Sequence, residues 1–346
     1  MMQPLRTDIL IIGAGLAGSL LAWRLMQAGK KIHILHNPTF TSSSRVAAGL
    51  INPVTGQRLV LQKNIAALLP AAHKLYQQLE ERFHTQFFFE KDMLRSLQHD
   101  KTKLAWEKRQ TDLNYQGYLC NVAGQSDVIK QHQTGYLDTN ALLDALHEHF
   151  QKHHCITTTD VQQDDIQRHQ NHVQWQHVTA STLICCQGWR EANAGFFSFL
   201  PFQPAKGEIL HLFSPNKLPE HIINQGKWLL PLKGGNFKIG ATYQNHAKDE
   251  QPSESGKHEL LNALKNMPLA QADISITAHQ AGIRPNTLDK APFLGMHPKH
   301  PNIGIFNGFG SKGSLFIPWY SERMCEHLIH GTALPSEADI QRYSCV

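Results

Sequence analysis

Apolar positions along the chain fall into a few legible patterns. "TDILII" (7–12) is almost continuously apolar, the pattern of a strand buried on both faces. "LAGSLLAWRLMQAG" (16–29) places apolar residues at 16, 20, 21 and 25, one face of a helix, and stops at Gly29 as a glycine cap. "KIHIL" (31–35) supplies a second strand, completing a strand–turn–helix–strand unit that starts a parallel sheet. Residues 64–83 read as a helix with Pro70 as a kink or new start, and "QFFFE" (86–90) as a strand. "GYLDTNALLDALHEHFQKHH" (135–154) reads as a helix capped at Asp138 or Asn140, followed by the strand "CITTTDV". "VQWQHV" and "TLICCQG" give two more strands ending at Gly188, and residues 226–243 a hairpin turning at Gly234-Gly235. "NIGIF" (302–306) is strand-like, and a last helix starts near Gly313.

Sheet-and-helix patterning occupies three separated blocks, 1–62, 135–200 and 274–346, with hairpin-rich or helical stretches at 63–134 and 201–273. The expectation is an α/β protein of two domains woven from a discontinuous chain. The three blocks form a Rossmann-like domain with a central parallel sheet, and the other two an antiparallel-sheet substrate domain.

The first turn holds Gly13-x-Gly15-x-x-Gly18 between strand and helix. A helix N-terminus carries unpaired N–H groups and partial positive charge, so it receives a pyrophosphate if the backbone can come close. Gly13 permits the turn, Gly15 the approach, and Gly18 the packing of helix on strand. The acid that binds ribose hydroxyls at the end of the second strand is absent; His36 and Asn37 stand there. A second copy of the spacing, Gly308-x-Gly310-x-x-Gly313 with Ser311 and Lys312, joins strand to helix near the C-terminus. No apolar run follows that could return as a strand, so no second nucleotide fold can be built. A helix N-terminus with Lys312 beside it suits the delocalised anion of a reduced flavin ring. One long cofactor held at both ends points to FAD over NAD. "SSSRVAAGLINP" (42–53) offers Ser44, Arg45 and neighbouring hydroxyls for phosphates, and small Ala47, Ala48 and Gly49 for a flat ring.

Composition changes this picture little. The 346 residues are 41% hydrophobic and 18% charged, which disfavours disorder. Lys+Arg number 33 against 28 Asp+Glu, a net charge of +5 with no basic block, so a polyanion such as tRNA is permitted but not implied. Six cysteines form no CxxC pair, which fits a reduced, cytoplasmic protein. Arg6 and the apolar run to Trp23 mimic a signal peptide, yet the run is too short for a span and carries the functional glycines, so no membrane role is expected. Among 22 histidines only His149 and His153 have helical metal spacing, and a solvated face is the expected reading, with no metal.

Several ordered motifs together resemble the D-amino acid oxidase superfamily of flavoproteins, which includes glycine and sarcosine oxidases and the FAD domain of the tRNA-modifying protein MnmC. They are "DILIIGAGLAGSLLAWRLMQAGKKIHIL", "VAAGLINP", "GYLDTNALLDAL", "LICCQGW", "GKWLLPLKGGNFKIGAT", "AGIRPNTLDKAPFLG" and "NGFGSKG", spread over nearly the whole chain. The resemblance implies an FAD-dependent oxidase or dehydrogenase in which a substrate amine lies over the flavin and hydride passes from the carbon beside nitrogen to N5. It implies that Arg284 in "GIRP" binds the substrate carboxylate, for which a guanidinium fork is suited. It places Trp228 where a carboxylate-holding Tyr stands in D-amino acid oxidases, which favours a larger substrate. Lys238 corresponds to the lysine of sarcosine oxidase that assists oxygen, and Val161 to an adenine-contacting valine. Gly188, at the end of "LICCQG", joins the implied cofactor cradle. Gly282 stands in place of the covalent flavin cysteine, so non-covalent FAD is expected. The substrate is then a small-molecule amine or amino acid such as an N-alkyl glycine, with O2 or another electron acceptor. The alternatives are a carboxymethylaminomethyl-uridine of tRNA, itself an N-substituted glycine, or a flavin-binding protein without turnover. Intact glycines with Arg284 and Lys238 argue against the last.

Overall fold

The first strand, Leu5–Ile12, is the centre of the molecule. In the computed structural model, which describes residues 5–245, 249–268 and 273–343, it pairs in parallel with Ile32–His36 on one side and Val178–Cys185 on the other. Ile156–Thr158 extends the sheet beyond Ile32–His36, and His300–Asn307 beyond Val178–Cys185, again in parallel. The near-continuous apolar run of the first strand has a direct cause. Ile9 and Ile11 enter one core with the helices Leu16–Gln27, Ile65–Phe83 and Gly313–His330, whereas Leu10 and Ile12 enter a second core on the opposite face with Phe197, Phe293 and Ile305. Both sides of the strand are covered over Ile9–Ile12, and that stretch is apolar on both faces.

Local signals place the helices. Asp138 Oδ1 accepts from Ala141 N–H at 3.1 Å and starts Thr139–Lys152. Pro70 lies inside one unbroken helix, Ile65–Phe83, on its exposed side. The hairpin of Lys227–Pro231 and Asn236–Gly240 turns at Gly234 and Gly235, with φ of 68° and 78°.

These two strands belong to a second, mainly antiparallel sheet with Ala205–Phe213, Ile222–Gln225, Met93–Ser96, Gln125–Gln131 and Leu119–Val122. The strand Ser275–Arg284, grouped by sequence with the parallel sheet, pairs instead along Ala205–Phe213 in this second sheet. Its residues Ile276–Gln280 are partly or fully exposed, so it carries no buried-strand pattern to mark its partner.

One expectation is corrected here. His149 is not on a solvated face: it is buried against Trp23, Phe83 and Phe150, at ring distances of 5.3, 5.9 and 6.1 Å. Burial lowers its pKa, which disfavours the charged ring. His153 is exposed and bonds to the His149 carbonyl oxygen at 2.9 Å. No group of three metal-ligating side chains occurs among the described residues, and Cys345 lies outside them.

Candidate active site

The N-terminal glycines act through close approach. A Cβ on Gly13, whose φ is +102°, would stand 2.5 Å from the Cys186 carbonyl oxygen, and one on Gly18 would strike the Gly13 carbonyl. Gly18 thus seats the helix on the turn and does not itself face the open space. Gly15 precedes the helix with no side-chain cap, and no acidic residue occupies the first turn. The Leu16 N–H donates to Ser44 Oγ at 3.1 Å. This unneutralised terminus, ringed by serine hydroxyls, has the donor set a pyrophosphate requires.

The C-terminal turn meets it. Gly308 and Gly310 have φ of 81° and 54°, and the helix Gly313–His330 again starts without a side-chain cap or an acid. Asn307 Nδ2 donates to the Gly188 carbonyl at 2.9 Å, and Asn307 Oδ1 accepts from Gly308 N–H at 2.8 Å, which ties this turn to the end of Val178–Cys185. Gly13, Gly15 and Ser44 line one cavity of about 270 Å³ together with Gly188, Gly310, Ser311 and Gly313. Both ends of the chain therefore bound a single site.

His36, Ala47, Ala48, Gly49 and Val161 line the same cavity, with Trp228, Gly282 and Arg284 at its second-sheet wall. His36 is held neutral at ordinary pH: burial first, then His147 and Arg45, push its pKa down to about 4. Gly308 shapes the turn and does not line the space.

Three cationic candidates point elsewhere. Arg45 donates to Asp144 at 2.6 Å and to the Asn140 carbonyl at 3.1 Å, because the helix Thr139–Lys152 presents it with better partners than the cavity does. Lys312 donates to Gln62 Oε1 at 2.6 Å and lies over the Phe316 ring. Lys238 alternates with Phe237 and Ile239, so it falls on the face of the sheet that carries Trp228 and Gly240. It is partly buried rather than fully solvated, burial lowers its pKa against an opposing pull from Asp138, and it does not line the cavity.

Arg284 is different. Its guanidinium lies across Gly207, where a Cβ would stand 2.0 Å from Nη2. It donates to the Lys206 carbonyl at 3.4 Å and to the Thr242 carbonyl at 3.4 and 3.5 Å, all long. Burial lowers its pKa, while Tyr243, whose ring lies 5.6 Å away, opposes this. Among the described residues no carboxylate pairs with it. Trp228 lies flat on Gly240, its cross-strand partner, where a Cβ would come within 2.5 Å of the indole.

Sequence reasoning missed Gly207 and Gly240, the bare floor under these two side chains. It also missed Trp189 and Arg190 at the rim, which bind Glu250: Trp189 Nε1 donates to Glu250 Oε1 at 2.7 Å, and Arg190 Nη2 to Oε2 at 3.1 Å. "QGWR" carried a signal only as part of a longer motif.

The family described as FAD dependent oxidoreductase, DAO, matches residues 8–327. The chain belongs to that family. It is an FAD-dependent oxidoreductase. Glycine oxidase of Bacillus licheniformis is 30% identical over 129 residues, 37% of this chain and 35% of that protein. The tRNA 5-methylaminomethyl-2-thiouridine biosynthesis bifunctional protein MnmC of Acinetobacter baylyi is 23% identical over 359 residues, 95% of this chain and 54% of that protein. The matched stretches thus span about a third to a half of these curated relatives. Crystal structures of glycine oxidase from Geobacillus kaustophilus and iminodiacetate oxidase from Chelativorans sp. BNC1 superpose with TM-scores of 0.81 and 0.80 at 20% and 19% identity, over 96% and 97% of this chain and 97% and 98% of theirs. They establish the fold: a parallel sheet interleaved with an antiparallel one. Among the described residues no helix is long and apolar enough to cross a membrane.

Proposed function

We propose that this oxidoreductase oxidises the C–N bond of an amine that carries a carboxylate, an amino acid or an N-substituted glycine. The observation that carries this reading is Arg284, a cation at the cavity wall whose only described hydrogen-bond partners are distant carbonyls. A buried cation without a counter-ion is costly, and a substrate carboxylate with two oxygens would relieve that cost and fix the substrate's orientation. Trp228 closes the same wall with an indole that donates one hydrogen bond and leaves a broad apolar face. Gly13, Gly15 and Ser44 would hold the pyrophosphate of non-covalent FAD, and the Gly310–Gly313 terminus the ring. Bound there, FAD would supply a hydride acceptor at N5. The chain's part is positional: it aligns the carbon beside nitrogen, excludes bulk water and keeps the amine unprotonated. Lys238, on the same sheet face as Trp228, would be the oxygen-assisting cation. Oxygen or another acceptor takes the electrons. The three cofactor blocks form one domain and the antiparallel sheet the other, with the last crossing after Arg284.

The match to about half of MnmC, over nearly the whole of this chain, supports a second reading, in which the substrate is the carboxymethylaminomethyl group of a tRNA wobble uridine. Anaerobic titration of the purified yellow protein separates the two. Bleaching of the flavin band by glycine, sarcosine or iminodiacetate establishes the small-molecule reading. Bleaching by modified tRNA alone establishes the second, and bleaching by neither removes both.

A further inference from the structure

The antiparallel sheet ends in Leu119–Val122, an edge strand that carries Cys120 opposite Lys130. Cys120 Sγ lies 3.2 Å from His132 Nε2, and His132 Nδ1 lies 3.1 Å from Asp92 Oδ1. Strand periodicity explains the row: residues 130 and 132 share a face, and Asp92 adjoins Met93, which pairs with Gln131. Three chain segments thus set a thiol, an imidazole and a carboxylate in line, with Lys130 Nζ 3.8 Å from the other Asp92 oxygen. None of these residues lines the flavin cavity. The remaining described cysteines differ in kind. Cys155, Cys185, Cys186 and Cys325 are buried, and burial raises the pKa of each thiol. Cys120 alone among them is partly exposed and faces a base that a third group orients.

We propose that Cys120 is an activated thiol and a reversible modification site for low-molecular-weight disulfides, with His132 as its base and Asp92 as the residue that positions the imidazole. His132 Nε2 takes the thiol proton, and the Cys120 sulfur attacks one sulfur of the disulfide. The S–S bond breaks as the Cys120–S bond forms, so the thiol is oxidised and the departing half is reduced. The leaving thiolate takes up the proton, and an added thiol reverses the exchange. The groups that face the thiol are Lys130 and His132, with Asp92 behind them.

The test treats the full-length flavin-loaded protein with 5,5′-dithiobis(2-nitrobenzoate) in a Cys345→Ser background and locates the adduct by peptide mass spectrometry. Cys120 should react first, and Cys120→Ser should abolish the fast phase. His132→Asn should slow that phase about tenfold at pH 7. Asp92→Asn should slow it less. An unchanged flavin spectrum and melting temperature in each variant separate this outcome from misfolding. Fast adducts on another cysteine, or equal rates in wild type and His132→Asn, would overturn the proposal.

Discussion

Two arginines in the same antiparallel sheet, Arg95 buried and Arg284 partly buried, have different surroundings. Arg95 donates to the Val54 carbonyl at 2.7 Å, the Gly56 carbonyl at 2.8 Å and Gln131 Oε1 at 3.1 Å. Its pKa is pushed down to about 10 by burial alone. Among the described residues Arg284 makes hydrogen bonds of 3.4 Å and longer, and only to carbonyls. Short bonds to loop carbonyls fasten the segment around Val54–Gly56 to the sheet. Long ones leave a fork whose donors are still available at the cavity. Short bonds from Nη1 and Nη2 hold Arg95 to its own chain, although its Nε has no partner among the described residues, and such a cation serves the fold; a fork held only by long bonds beside the cavity is the one proposed to serve a ligand.

Four substitutions can break or sharpen this contrast. Arg95→Ala strands two loop carbonyls, so it should cost about 4 kcal/mol of stability by denaturant melting. The KM of whatever protein remains folded should not change. Arg284→Ala should do the reverse: KM for a carboxylate substrate should rise by the equivalent of about 1.5–3 kcal/mol with flavin content and melting temperature kept. An unchanged KM would remove Arg284 from the site.

Glu191 asks whether an unsatisfied atom suffices. Its Oε2 is buried without a partner among the described residues while Oε1 accepts from Phe197 N–H at 3.0 Å, and burial raises its pKa from 4.5 to about 7. It does not line the cavity. The folded state holds this proton more tightly than the unfolded state, so stability is greatest below pH 4.5 and falls as pH rises to about 7. Glu191→Gln should therefore stabilise the protein above pH 7, on the order of 2 kcal/mol, and lose that advantage near pH 4 without altering KM. Gly207→Ala should have the smallest effect, a KM several-fold higher as the Arg284 guanidinium is lifted by its new neighbour. Identical KM values would show that the fork can move aside freely.

Much of the cofactor end was legible, because its signals are local. A strand, a Gly13-x-Gly15-x-x-Gly18 turn and an amphipathic helix adjoin in the chain, and their physics is settled within a few residues. The direction of a long side chain is not. Arg45 and Lys312 stand in the right motifs, yet each found a partner outside the cavity, in Asp144 and Gln62. His149 was misread because its burial depends on Trp23 and Phe83, which lie in other helices.

The chain by itself determined the strand–turn–helix units and the Gly234-Gly235 hairpin, since each rests on neighbouring residues and their φ preferences, narrowed the cap to Asp138 or Asn140, and pointed to the flavin family through motifs spread along its length. Tertiary structure alone decided that Gly207 lies beneath Arg284 and that Cys120, His132 and Asp92 meet. Such pairings join residues far apart in the chain, and only the register of the packed sheets fixes which of them meet.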